Sequence, residues 1–141
     1  MAPKFTLEHF NQFGAGYLPH HLAIVITDLA EGRLSAELDV VKFHLAPNGY
    51  LHAGTVVSLA DTCAGYACIA HLPEGATGFT TIELKSNHLG TARSGVVTCV
   101  ATAVHLGRTT QVWDASVTSK ESGKTIALYR CTQMLLYPKA G

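Results

Sequence analysis

The chain has 141 residues, enough for one buried core and too few for two domains of ordinary size. Hydrophobic residues make up 48% of it and charged residues 14%, which excludes an intrinsically disordered chain and leaves little charge to cover a monomer's surface. Ten basic residues balance ten acidic ones, which argues against a broad basic face for nucleic acid.

The first 19 residues are expected to form a short amphipathic helix and a loop. Phe5, Leu7, Phe10 and Phe13 share one helical face, and Gly14, Gly16 and Pro19 end the helix. "HLAIVITDLAEGRLSAELDVV" reads as a hairpin turning at "AEGR". Leu34, Ala36, Leu38 and Val40 fall on one side of its second strand, against Ser35, Glu37 and Asp39. "KFHLAPNGYLH" carries Pro47, Asn48 and Gly49 and reads as a loop.

The next stretch, residues 53–72, is the one long helix the sequence places. Val56, Ala60, Cys63, Ala64 and Ala67 make its apolar stripe, and "PEGATG" stops it. Four strands follow. "FTTIELKSNH" is the first. "GVVTCVATAVHL", "TTQVWDASVTS" and "KTIALYRCTQMLLY" form a meander through the turns "LGRT" and "KESGK". His105 alternates with Cys99, Ala101 and Ala103, so it reads as a core or interface histidine. Trp113 and Tyr66 read as packing residues. The class is α+β, one domain over residues 1–141, with an antiparallel sheet wrapped round a helix of small side chains.

Other features constrain chemistry and location. Cys63, Cys68, Cys99 and Cys131 include no C-x-x-C pair and read as free, buried, reduced thiols of a cytoplasmic protein. No spaced set of His, Cys and carboxylate suggests a metal, and no signal peptide is expected. No apolar run approaches the roughly 20 residues of a membrane span.

Asp61 breaks the pattern of the long helix. It lies at the edge of the apolar stripe, and no lysine or arginine stands three or four residues away to pair it. Mid-helix aspartate is unfavourable, and burying it unpaired costs several kcal/mol. Either the helix edge is wet, or a partner chain touches it, or the group works as a base or nucleophile. His52 stands just before the helix, and Ala53 and Gly54 open its first turn. The unpaired N–H groups of that turn suit a developing oxyanion. His52 and Asp61 are about 13 Å apart along a helix, too far to serve one carbonyl carbon from the same chain. Two helices antiparallel across a twofold axis would bring the halves together.

The pattern H-[AG]-G-x₆-[DE] opening a helix, followed by a β-meander, resembles the hotdog-fold acyl-CoA thioesterases. "LADTCAGYAC" is similar to the phenylacetate-pathway (PaaI-type) branch. "IELKSNH" with "HLGRTTQVWD" is similar to the enterobactin-pathway proofreading branch. The likeness spans residues 20–136. It implies CoA-thioester hydrolysis without a metal or cofactor, CoA being part of the substrate, in homodimers or homotetramers with composite sites. Carried over, Asp61 is the base or nucleophile, Ala53 gives the oxyanion donor, and His52 positions the thioester. Thr81 stands near a water-holding position.

Departures from the family pattern are Ala53 for the first glycine, Ala46 for an Asn or Gln, and Gly65 for a Ser or Thr; Asn48 is the nearest stand-in for the missing amide. Arg93 and Arg108 are candidates for the CoA phosphates, with exposed turn arginines as the plain alternative. His88 is placed near the pantetheine or acyl group. Two other readings stay open at this level: a hotdog hydratase or dehydratase acting on acyl-CoA or acyl-carrier protein, and a non-catalytic acyl-CoA binder.

Overall fold

A computed structural model describes residues 5–139. Helix α1 spans Leu7–Phe13 and α2 spans Leu18–His21. Strands β1 (Val25–Ala30) and β2 (Arg33–Val40) form the expected hairpin. A 3-10 turn at Lys42–His44 leads through a loop into α3, Ala53–Ala70. Strands β3 (Gly78–His88), β4 (Gly95–Leu106), β5 (Thr110–Ser119) and β6 (Thr125–Leu136) complete the chain.

All six strands join one antiparallel sheet in the order β1-β2-β4-β5-β6-β3. Helix α3 packs across it, touching β2, β4, β5, β6 and β3. Val56, Ala60, Cys63, Ala64 and Ala67 are buried, as the stripe predicted. Three of these are alanines and one a cysteine, so the sheet comes close to the helix axis. The Cys63 thiol donates to the carbonyl of Leu34 at 3.2 Å, tying helix to β2. All four cysteines are free and buried.

The long helix ends at Ala70, two residues earlier than expected, because His71 leaves it to make other contacts. Its Nδ1 bonds the Ala67 carbonyl at 2.7 Å, and its Nε2 accepts the Gly32 N–H at 2.8 Å. Gln111 donates to the His71 carbonyl and accepts from the buried indole of Trp113, which packs edge-on against the same imidazole.

Four other expectations need correction. Pro19 starts the short helix α2 and does not end α1, since its missing N–H costs nothing in a first turn. Phe13 is exposed, and Phe10 alone of the α1 residues is buried. By length and composition α3 is apolar enough to cross a membrane, yet 61% of it is buried inside the domain. A register shift between Ala103 and His105 puts His105 opposite Val112, on the solvent face, so it is not a core histidine.

The two edges of the sheet differ. The Asn11 amide donates to the Ile26 carbonyl at 3.1 Å and accepts the Ile26 N–H at 2.8 Å, so α1 caps β1 as another strand would. Among the described residues no strand pairs with the far edge of β3. Ile82 (56%) and Leu84 (42%) on that strand, with Leu89 (63%) just beyond it, are exposed.

Candidate active site

The loop before α3 is held by local bonds. Leu45 bridges Leu51, and the Ala46 N–H donates to Tyr50 at 2.7 Å. Beneath it His44 is buried, its Nε2 donating to the Leu22 carbonyl and its Nδ1 accepting from the Val41 N–H. The His44 carbonyl receives both the His52 N–H and the Thr55 hydroxyl. This scaffold fixes where α3 begins, and His44 is a residue that sequence reasoning passed over.

His52 is the N-cap of α3, and its Nδ1 accepts the Gly54 N–H at 2.7 Å. The ring proton therefore lies on Nε2, at the exposed edge. A Cβ on residue 54 would stand 2.9 Å from that Nδ1, so glycine is what lets the ring fold back. Of the first three N–H groups, Gly54's is taken by the ring and Thr55's by the His52 carbonyl. The Ala53 N–H, at the exposed first position, has no acceptor among the described residues. The sequence grouped Ala53 and Gly54 together as donors; the structure leaves Ala53 available and occupies Gly54.

Asp61 lies two and a half turns further along, half-buried. Its Oδ1 accepts the phenol hydroxyl of Tyr129 on β6 at 2.7 Å. Tyr129 is 3% exposed, and burial together with the Asp61 carboxylate pushes its phenol well above the usual range. The Cys131 thiol, on the same face of β6, is also pushed up, chiefly by burial. No cation pairs with Asp61 among the described residues. Tyr129 is the contact the sequence reading missed. Its signal was there: alternation along "KTIALYRC" puts Tyr129 on the buried face with Ala127 and Cys131, and a buried phenol needs an acceptor.

The remaining candidates scatter. Thr81 donates to the buried Gln133 at 2.6 Å, so its hydroxyl is already committed within the sheet. His88 is exposed, with its Nε2 2.9 Å from the Ser86 hydroxyl. Asn48 is exposed and accepts the Tyr50 N–H, closing its own turn. Gly65 is buried, and a Cβ there would stand 3.1 Å from Phe79. Arg93 stacks over the Tyr50 ring at 4.3 Å, near the start of α3, where Thr91 accepts the Leu51 N–H. Arg108 lies in the β4–β5 turn, three residues from the Gln111 that holds the His71 carbonyl at the other end of α3. One chain therefore does not bring both arginines to one phosphate.

A groove of about 560 Å³ crosses the outer face of the sheet, and a hollow of about 540 Å³ lies between α1, β1 and Tyr66. Asp61 lines neither. Within a single chain, then, the free helix end and the carboxylate stand apart, the first exposed and the second half-buried. Among the described residues no group of three His, Cys, Asp or Glu could hold a metal ion.

The chain matches the thioesterase superfamily over residues 48–126. It is 33% identical over 115 residues to the 1,4-dihydroxy-2-naphthoyl-CoA hydrolase of Listeria monocytogenes, covering 82% of this chain and 92% of the relative. It is 31% identical over 131 residues to the proofreading thioesterase EntH of Cronobacter sakazakii, covering 93% and 94%. A solved thioesterase from Haemophilus influenzae superposes with a TM-score of 0.89 at 34% identity, covering 95% of this chain and 92% of that one.

Proposed function

The chain belongs to the thioesterase superfamily and is a hotdog-fold thioesterase, and from that premise we propose that it hydrolyses acyl-CoA thioesters carrying an aromatic or a short- or medium-chain acyl group. The observation that carries this reading is Asp61: a half-buried carboxylate in the middle of the core helix, with no cation beside it and one oxygen held by Tyr129. Such a group is expensive as structure and useful as chemistry. The likeness to a naphthoyl-CoA hydrolase supports an aromatic acyl group on CoA.

In this reading Asp61 acts in one of two ways. As a base it takes a proton from water, and the oxygen attacks the thioester carbonyl. As a nucleophile it attacks that carbon itself and forms a mixed anhydride, which water then opens. In either route the C–S bond breaks, the carboxylic acid forms, and CoA leaves as a thiolate that picks up the proton. The negative charge on the carbonyl oxygen is met by the Ala53 N–H at the positive end of α3.

The two halves come from two chains. The separation along α3 supports this. So does the contrast between the capped edge at β1 and the bare, apolar edge at β3, where a second copy can pair. A composite homodimer, or a tetramer built from it, also gives Arg93 and Arg108 of different chains a route to one CoA.

Thiol release from a panel of phenylacetyl-, hydroxybenzoyl-, hexanoyl- and long-chain acyl-CoA tests the proposal. Turnover of at least one ester is expected, with Asp61→Asn slower by a factor of about 10³ or more while folding and assembly are kept. An Asp61→Asn protein as active as the wild type would sink it.

A further inference from the structure

Tyr129 is the side chain through which β6 reaches the carboxylate. Its hydroxyl is 2.7 Å from Asp61 Oδ1, its ring is buried, and it rises from a strand hydrogen-bonded on both sides. The ring alone would satisfy the packing. The hydroxyl adds a polar atom to a buried site, and that costs free energy unless it is bonded. Its acceptor is Asp61.

We propose that Tyr129 is a positioning residue for hydrolysis: its phenol pins Asp61 by Oδ1 and leaves Oδ2 as the oxygen that meets water or the thioester. This rests on Asp61 acting as the base or nucleophile. A free aspartate would sample two orientations about its last bond, with either oxygen forward. One short bond from a rigid strand selects one of them, so less freedom is lost when the reaction occurs. Because the phenol is itself held protonated, by burial and by the carboxylate, it stays a donor over the whole working range of pH.

Other titratable groups near this face do not replace it. Cys131 on β6 keeps its proton, held there chiefly by burial. On β3, Ser86 stands opposite Tyr129, and His88 follows on the same face with its Nε2 engaged by Ser86. Lys85 and Arg130 stand opposite each other on the other face, where Arg130 pairs with Asp114. On α3 itself the neighbours of Asp61 one turn away are Val57, Ser58, Ala64 and Gly65, and Ser58 donates to the Gly54 carbonyl.

The test is thiol release by wild type, Tyr129→Phe and Asp61→Asn on the best CoA ester of the panel, with kcat and KM read separately. Tyr129→Phe is expected to lower kcat about tenfold with KM changed less than about twofold. The melting temperature and oligomeric state report whether the phenylalanine has kept the fold. A Tyr129→Phe protein with the wild-type kcat overturns the proposal, as does one whose loss lies in KM or whose kcat falls only together with the melting temperature. Asp61→Asn separates the two claims. If it is inactive while Tyr129→Phe matches wild type, only the role of Tyr129 fails. If it turns over normally, the reading of Asp61 fails and takes this one with it.

Discussion

Ala53 carries a single usable N–H, and the backbone around it permits a clean removal of that group. His52 has φ −68° and ψ 134°, a conformation a residue before proline accepts, and proline is favoured at the first helical position. Ala53→Pro should therefore leave α3 intact and delete the oxyanion donor. The expected result is a melting temperature within a few degrees of wild type and a kcat lower by about 10²–10³. Far-ultraviolet circular dichroism beside the thiol-release assay would check it. A kcat near wild type would mean that another donor meets the oxyanion. The residue scale also shows what was hidden in the sequence. His52 and Asp61 stood out because a histidine before a helix and an acid on an apolar stripe break local patterns. Tyr129 broke none, because an aromatic on the buried face of a strand is ordinary until its acceptor is known.

Helix α3 is built to be approached. Cys63, Ala64 and Ala67 are fully buried under the sheet, so the distance from helix to strands is set by side chains of one or two heavy atoms. Ala67→Leu puts three more carbons into that layer. It should destabilise the protein by about 1–3 kcal/mol, seen as a melting temperature roughly 5–10 °C lower. An unchanged melting temperature would mean that the layer is loose. Periodicity found the central strands well, since they bury one face against α3 and show the other to solvent: Leu34, Ala36, Leu38 and Val40 on β2, and Val97, Cys99 and Ala101 on β4, are buried as alternation requires. It failed at His105 for a reason of the same kind. One extra residue at the bulge shifts the period-two pattern and moves every later side chain to the opposite face. The end of α3 was misplaced by two residues because the contacts that draw His71 away come from β5 and from the β1–β2 turn, both distant in sequence.

At the scale of the molecule, a composite site makes a prediction that single-chain variants cannot. If Asp61 of one chain works with Ala53 of its partner, a mixed dimer of Asp61→Asn and Ala53→Pro chains holds one intact site and one doubly impaired site. Co-refolding the two inactive proteins in equal amounts should restore about a quarter of wild-type activity, since about half of the dimers are mixed. Recovery no greater than the sum of the separate variants would place both groups of each site in one chain. The eluted mass on size exclusion with light scattering gives the assembly directly. The bare apolar edge of β3 and the capped edge of β1 predict a dimer at least.

By itself, the sequence determined the order of elements, which faces are buried, the free cysteines and the two conspicuous groups of the site. These follow from local chemistry: side-chain period, turn residues, and polar atoms out of place. Tertiary structure alone decided which N–H at the helix start is left unpaired, what holds the carboxylate, and where the candidate phosphate contacts fall. Each of these is a meeting of residues far apart in the chain. Tyr129 and Asp61 are 68 positions apart, and only the closing of β6 over α3 makes them neighbours.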